Sequence, residues 1–368
     1  MADTLPIVPP TAADAAGPLP KPAFHDAKHH LKIYQGDCLQ ILAAIPADCV
    51  DLIFADPPYF LSNDGITCHA GKMVSVNKGK WDKSQGPDLD HRFNRAWLAA
   101  CQRVLKPNGS IWVSGTSHVI HSVGFAMQQL GFKLLNDISW IKPNPPPNLS
   151  CRYFTHATET LIWAAKNKKS KHTFNYKLMR EINGGKQMKS VWTLGAPGRE
   201  EKRFGKHPTQ KPLALLERIV QAASNAGDVV LDPFMGGGTT AVAAARLRRA
   251  TVGIEFDAEY AWLAARRVMA ELLAVVVVAE SHAPSLDVGL LFMDRSDPET
   301  FSLSMAPLTK LVQRECRFYF IGLTRREVIF TIQAVSLDEA WQAFRNCPKS
   351  SETIFSVIKT ETEIYLAQ

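Results

Sequence analysis

The stretch that most narrows what this chain can become runs from Val50 to Phe60. Val50-Asp51-Leu52-Ile53-Phe54 is a short apolar run, too short for an ordinary helix, and it predicts a buried strand. Ala55-Asp56-Pro57-Pro58-Tyr59-Phe60 follows at once. Two consecutive prolines cannot donate to a sheet ladder and break a helix, so the strand must stop there. Asp56 is left at the carboxyl edge of a sheet, where open α/β folds hold their ligands. An acidic acceptor, the Pro57 carbonyl and the Tyr59 ring then make a holder for a flat ring that bears an amino group. Taken alone, the same residues could be a strand-ending Asp-Pro turn with a surface tyrosine.

A second stretch has the same construction. Val229-Val230-Leu231-Asp232-Pro233-Phe234-Met235-Gly236-Gly237-Gly238-Thr239-Thr240 reads as strand, tight glycine loop, then an alanine-rich helix from Ala241. Glycines let a ligand approach the backbone, and a helix start offers free N–H groups. The loop is neither a Walker loop nor a full GxGxxG. Thr251-Val252-Gly253-Ile254-Glu255-Phe256 is a further strand ending in an acid. Gly236 and Glu255 are about 20 residues apart, the spacing at which an acid reaches a ribose hydroxyl in nucleoside-binding α/β units.

Together these residues resemble the S-adenosylmethionine-dependent amino-methyltransferases that act on DNA. Asp56-Pro57-Pro58-Tyr59 looks like their catalytic tetrapeptide, and Asp232 to Thr240 looks like their cofactor loop. His207-Pro208-Thr209-Gln210-Lys211-Pro212 is similar to the segment that precedes that loop. The catalytic motif comes first, the β-class order. Ser62-Asn63-Asp64-Gly65 and Val74-Ser75-Val76-Asn77-Lys78-Gly79 look like adenine-N6 enzymes of restriction–modification systems. The resemblance spans roughly residues 31–272. It implies a doubly wound α/β sheet of seven strands, one antiparallel, and methyl transfer to N6 of an adenine flipped out of double-stranded DNA. Asp56 and the Pro57 carbonyl would accept the two amino N–H bonds, held rigidly by Pro58, and Tyr59 would stack on the base. Cofactor contacts would come from Asp37, Cys38, Asp232, Phe234, Gly236 and Gly238. Thr239, Thr240 and Lys211 would hold its methionine end, and Glu255 its ribose. Asp37 could equally be the N-cap of a helix over Leu39–Ala44. N4-cytosine methylation is the nearer alternative, because cytosine also presents an exocyclic amine, although those relatives more often carry Ser in place of Asp. A catalytically inactive DNA-binding protein on the same fold is the other.

The chain has 368 residues, enough for one large domain and a smaller one. Its net charge of +7 suits a polyanionic partner. That charge is localised: residues 166–211 carry 13 Lys/Arg against three Asp/Glu. This interval lies where the family carries target recognition, with Phe174, Tyr176, Trp192 and Phe204 interleaved. Lys168, Lys169, Lys171, Lys186, Lys189, Arg199, Lys202 and Arg203 are the candidate phosphate contacts. The seven cysteines form no CxxC pair and predict reduced thiols in a cytoplasmic protein, with no metal site at His25, His29 and His30. No stretch reads as a signal peptide, and the aliphatic run Leu272 to Val278 is too short to cross a bilayer. A homodimer and a cognate restriction endonuclease stay open as further partners.

Residues 1–24 read as a disordered tail and 25–279 as the methyltransferase domain. Residues 61–90 read as a long functional loop. Pro143-Asn144-Pro145-Pro146-Pro147-Asn148 reads as a stiff loop beside the base. Phe132–Ile141 and Thr158–Ala165 predict the antiparallel pair. A helix is expected over Asp257–Leu273 and a linker over Glu280–Ser285. Residues 286–368 then predict a small α+β appendage, with strands at Arg317–Leu323, Glu327–Val335, Thr353–Lys359 and Glu363–Leu366 and a helix at Leu337–Phe344.

Overall fold

The computed structural model describes residues 17–27, 29–62, 66–69, 72–75 and 82–280, and strands at 290–294, 301–306, 315–321 and 327–333. Side chains are described through Leu272, apart from those of 63–81. The chain begins with β1 (Phe24–Asp26), β2 (Leu31–Gln35), α1 (Cys38–Ala44) and β3 (Val50–Ala55). The hairpin β4 (Ile66–His69) and β5 (Lys72–Ser75) precedes α2 (Pro87–Val104), β6 (Leu105–Gly115) and α3 (Ile120–Gln129). Then come β7 (Lys133–Ile141), β8 (Thr158–Ala165), α4 (Tyr176–Ile182) and β9 (Val191–Thr193). The cofactor half holds α5 (Leu213–Ala223), β10 (Val229–Asp232), α6 (Thr239–Arg246), β11 (Ala250–Glu255) and α7 (Ala258–Glu280). Beyond it lie β12 (Leu290–Asp294), β13 (Phe301–Ala306), β14 (Glu315–Ile321) and β15 (Glu327–Gln333).

Seven strands in the order β2-β11-β10-β3-β6-β8-β7 form the centre of the main sheet. β2, β11, β10, β3 and β6 pair in parallel, and β8 runs against both β6 and β7. This is the expected doubly wound sheet with one reversed strand. Its edges are extended by β9 on one side and by β1, β13 and β12 on the other. β3 is buried on both faces, which is why it reads as a continuous apolar run. Leu52 and Phe54 pack with α5, α6 and α7 through Leu216, Ala243 and Val268. Ile53 and Ala55 pack with α1, α2 and α3 through Leu42, Leu98 and Val123.

Several boundaries differ from expectation. The sequence predicts a helix from Phe93 to Leu105, ended by Lys106-Pro107-Asn108-Gly109, and a strand over Ser110–Ser114. Instead β6 takes in residues 106–109, because Val50 already pairs with Leu105 before the register shifts to Leu52 and Ser110. The interval 61–90 is not featureless: it holds the β4–β5 hairpin and the start of α2, with Pro87 in its first turn. Phe24, expected in the tail, pairs with Ile33 in β1, while 1–16 lie outside the described residues. α7 runs on to Glu280, past the expected end at Leu273 and into the first residue of the expected linker. β14 and β15 fall where strands were expected and pair antiparallel. β13 joins the main sheet, pairing with β1 at Phe24 and Phe301. The helix expected at Leu337–Phe344, the strands at Thr353–Lys359 and Glu363–Leu366, and residues 281–285 lie outside the described residues, as do 63–65 and 76–81.

Candidate active site

Because β2, β3, β10 and β11 run in parallel, their carboxyl ends converge on one edge. There they line a cavity of about 450 Å³ with Gly36, Asp56, Asp232, Phe234 and Glu255. Its remaining wall is His207 to Lys211, brought in by the chain that enters α5. The volume suits a nucleoside-sized ligand.

Asp56 is the hub of a polar network at that edge. Its Oδ1 accepts from the Tyr59 hydroxyl at 2.7 Å and the Ser114 hydroxyl at 2.5 Å, and its Oδ2 from Lys211 Nζ at 2.6 Å. Lys211 Nζ also lies 3.6 Å from Glu159 Oε2, and Glu159 is ion-paired with Lys142. Burial works against the charge on Glu159, yet Lys211 and Lys142 outweigh it and hold its carboxyl below the usual range. Burial also opposes the charge on Lys211, but Asp56 and Glu159 prevail and its pKa stands raised. Tyr59 is itself buried at 6% exposure, and burial keeps its hydroxyl protonated far above neutrality. Below it, the fully buried Asp82 fixes the turn. Its carboxylate accepts the N–H groups of Tyr59 and Phe60 at 2.9 Å, that of Leu61 at 3.2 Å and the Ser62 hydroxyl at 2.9 Å. The prolines are therefore not the only source of stiffness. This anchor also lets Phe60 keep a left-handed φ of 58°.

Ser114, Lys142, Glu159 and Asp82 were not among the residues singled out from sequence. One signal was available for Glu159: it is the lone charge in the otherwise apolar run after Thr158. Nothing local marks Asp82, which lies more than 20 residues from the turn it holds.

The glycine loop is built as the sequence suggests, and several side chains that line the cavity also brace the loop. Gly236 and Gly238 take left-handed φ of 52° and 77°. A Cβ at Gly236 would meet the His207 ring at 3.0 Å, so the segment from His207 packs directly under the loop. Burial lowers the His207 pKa to about 4, so the ring is neutral there. Asp232 is fully enclosed; it accepts from the Thr240 hydroxyl at 2.5 Å and Phe234 N–H at 3.0 Å. Burial raises its carboxyl to about 7. The Thr239 hydroxyl accepts from Arg267 at 3.0 Å. The ring of Phe234 meets Trp97 edge-on at 5.2 Å. Burial pushes the Cys38 thiol up to about 12, leaving an unreactive wall residue. Asp37 does cap α1, accepting from Leu39 N–H at 2.9 Å and Gln40 N–H at 3.0 Å, and it also lines the cavity. Glu255 accepts the N–H groups of Gly236 at 2.7 Å and Asp257 at 2.8 Å. Lys211, expected on the methionine end of the cofactor, lines the cavity and donates to Asp56.

The eight basic residues divide between two edges of the sheet. The chain from β9 to α5 crosses the catalytic edge, and Arg199 and Arg203 are exposed there with Lys202 half-buried between them. Lys186 and Lys189 are exposed on the approach to β9. Lys168, Lys169 and Lys171 follow the end of β8, and β8 is reversed. They therefore sit at the far edge, where Lys171 N–H donates to Asn108 Oδ1 at 2.9 Å and the Ser170 hydroxyl to the Pro107 carbonyl at 2.6 Å. Six residues of β6 separate Asn108 from Ser114, roughly 20 Å along the strand.

S-adenosylmethionine fits this cavity by one further feature. Gln210 Oε1 is buried, has no hydrogen-bond partner among the described residues, and belongs to a cavity-lining residue whose Nε2 donates to the Glu201 carbonyl at 2.9 Å. An unused acceptor of this kind suits an ammonium such as the cofactor's. The reversed strand, the glycine loop and the acid at the next strand end define an S-adenosylmethionine-dependent methyltransferase. The chain belongs to the N6/N4 DNA methylase family, whose pattern it matches over residues 50–266. It is 52% identical over 252 residues to the type II methyltransferase M2.DpnII of Streptococcus pneumoniae, covering 68% of this chain and 93% of that one. It is 53% identical over 242 residues to M2.LlaDCHI of Lactococcus lactis subsp. cremoris, covering 66% and 90%. Among solved structures, the cytosine-N4-specific PvuII DNA methyltransferase aligns with a TM-score of 0.53 at 21% identity, over 67% of this chain and 88% of that one. That likeness concerns the fold. Among the described residues no helix is long and apolar enough to cross a membrane, and no His/Cys/Asp/Glu group could hold a metal.

Proposed function

We propose that the protein methylates N6 of an adenine flipped out of double-stranded DNA at a specific sequence, as the modification half of a restriction–modification system. The observation that carries this is Asp56: a carboxylate at the end of β3, fixed by a rigid turn, opening on the cofactor cavity. The type II relatives support the restriction–modification setting, in which a cognate endonuclease shares the target sequence.

Bound S-adenosylmethionine supplies an electrophilic methyl group on a sulfonium. The chain's residues do the rest. The adenine amino nitrogen is a weak nucleophile because its lone pair is delocalised into the ring. Asp56 and the Pro57 carbonyl accept its two N–H bonds and favour a pyramidal nitrogen. This is positioning and electrostatic stabilisation, and Asp56 need not take a proton before attack. Asp56 Oδ1 already accepts two hydrogen bonds and Oδ2 one, so Oδ2 keeps a lone pair for the amino group. Glu159 is a second anion beside Lys211, so the ammonium stays in place next to Asp56. The glycine loop, Gln210 and Glu255 hold the cofactor, while Asp232, Thr239 and Thr240 brace the loop. Arg199, Lys202 and Arg203 hold phosphates.

Labelled cofactor incubated with duplex DNA, followed by identification of the nucleoside, tests the reading. Label in N6-methyladenine, abolished by Asp56→Ala with cofactor binding intact, is the expected result. Label in N4-methylcytosine, or full turnover by that variant, would overturn it.

A further inference from the structure

The loop between β7 and β8 carries the most exposed large apolar side chain among the described residues. Phe154 is 97% exposed, and Tyr153 beside it 61%. An isolated exposed apolar residue is ordinary, but two consecutive aromatic residues both exposed to water are not. The loop that carries them is built rather than slack. Its stems are closed by Lys142 N–H donating to the Ala157 carbonyl at 2.7 Å and by the ion pair of Lys142 with Glu159. Pro143, Pro145, Pro146 and Pro147 stiffen the ascending arm. At the tip, Asn148 Oδ1 accepts from Ser150 N–H at 3.0 Å and the Ser150 hydroxyl at 2.7 Å, and Asn148 Nδ2 donates to the Tyr153 carbonyl at 2.5 Å.

This platform is wired to the catalytic carboxylate. Glu159 at its foot lies within 3.6 Å of Lys211 Nζ, which is 2.6 Å from Asp56. Arg152 is exposed beside the rings, and Arg199 and Arg203 share the same sheet edge, so the surroundings suit a polyanion. Removing a base from a duplex leaves a slot in the stack whose two faces are aromatic. Apolar side chains inserted between base steps are an established way to hold DNA in a deformed state.

We propose that Phe154, next to Tyr153 in the chain, is the wedge that enters the DNA stack at the place vacated by the target base. The occupant of this surface is the duplex, not a second copy of the chain. The rigid stem fixes the distance between wedge and Asp56, so that only a base adjacent to the inserted ring reaches the carboxylate. This rests on the DNA-methylation reading above, and the substrates chosen to test it separate the two.

Phe154→Ala and Phe154→Trp are compared with the unaltered protein on two duplexes, one normal and one with an abasic site opposite the target base. Prior loss of pairing makes flipping cheap in the second duplex. The expected result is a loss for Phe154→Ala of roughly 5- to 100-fold in kcat/KM on the normal duplex, the scale of one lost base–aromatic stack. On the abasic duplex the loss should be less than about twofold, and Phe154→Trp should restore most activity on the normal one. Equal losses on both duplexes, no loss on either, or a change of oligomeric state by sedimentation in Phe154→Ala would overturn the proposal. Cofactor affinity by calorimetry confirms that each variant is folded. Absence of methylation by the unaltered protein on both duplexes would instead refute the methylation reading itself.

Discussion

Tyr59 shows how far a side chain's role depends on what surrounds it. From sequence its ring is the useful part, and Phe should replace it with little harm. In the structure the hydroxyl donates to Asp56 at 2.7 Å and lies 3.3 Å from Glu159 Oε2, while Lys211 Nζ sits 5.2 Å from the ring centroid. A hydrogen bond to a charged group contributes about 1.5–3 kcal/mol. Tyr59→Phe should therefore lower kcat about tenfold or more with DNA affinity nearly kept, and Tyr59→Ala should lower both. Steady-state kinetics decides this, and wild-type kcat in the Phe variant would return the role to stacking alone. Asp232 makes a second residue-scale case. Its folded pKa of about 7 stands above the ordinary 3.8 because of burial. Between pH of about 4 and about 7 the folded state keeps a proton that the unfolded state has lost, so stability falls as pH rises through that window and levels above it. Asp232→Asn carries no such proton. The Tm of that variant minus that of the wild type should grow from pH of about 4 to about 7 and then stay constant. A difference independent of pH would show an ionised carboxylate in the fold throughout.

At the scale of elements, the direction of β8 decides at which edge of the sheet each basic cluster sits. Had that strand run with its neighbours, the lysines after it would lie beside Asp56. Reversed, it carries Lys168, Lys169 and Lys171 to the far edge and brings Glu159 and the aromatic loop to the catalytic one. The connection from β9 to α5 is returned to the catalytic edge by Trp192, stacked 5.8 Å from Trp112, and by Glu201, whose carboxylate accepts Leu213 N–H at 2.7 Å. Replacing Arg199, Lys202 and Arg203 together by Ala should flatten the salt dependence of DNA binding by about 0.9 in log–log slope per lost phosphate contact. The same change at Lys168, Lys169 and Lys171 should leave it unaltered. Titrations at several salt concentrations separate the two, and the reverse result would put DNA on the far edge.

For the whole molecule, the question is how much of the chain the chemistry needs. Every cavity residue lies between Gly36 and Phe256, and the family match ends at 266. A chain cut after residue 280 should fold and bind cofactor, as the sequence suggests. The pairing of β13 with β1 adds a consequence that the sequence does not show: the cut bares a sheet edge. The truncated protein should therefore melt lower and associate more readily, since an exposed edge is a template for pairing. Calorimetry with cofactor and thermal melts test this. Loss of cofactor binding would make the tail part of the catalytic core.

The sequence by itself determined the parts whose causes are local. Asp-Pro-Pro ends a strand wherever it occurs, three glycines open a loop, and the periods of Leu213–Ala223 and Val229–Asp232 name helix and strand directly. It therefore located the Asp-Pro-Pro turn, the glycine loop and the doubly wound class. Tertiary structure alone decided that Asp82 staples the turn, that Ser114, Glu159 and Lys211 gather on Asp56, and that Asp232 and Thr240 brace the loop. It also decided that one basic cluster faces away. These facts follow from strand order and direction, which arise from pairing between residues far apart in the chain, and no window of neighbouring residues contains them.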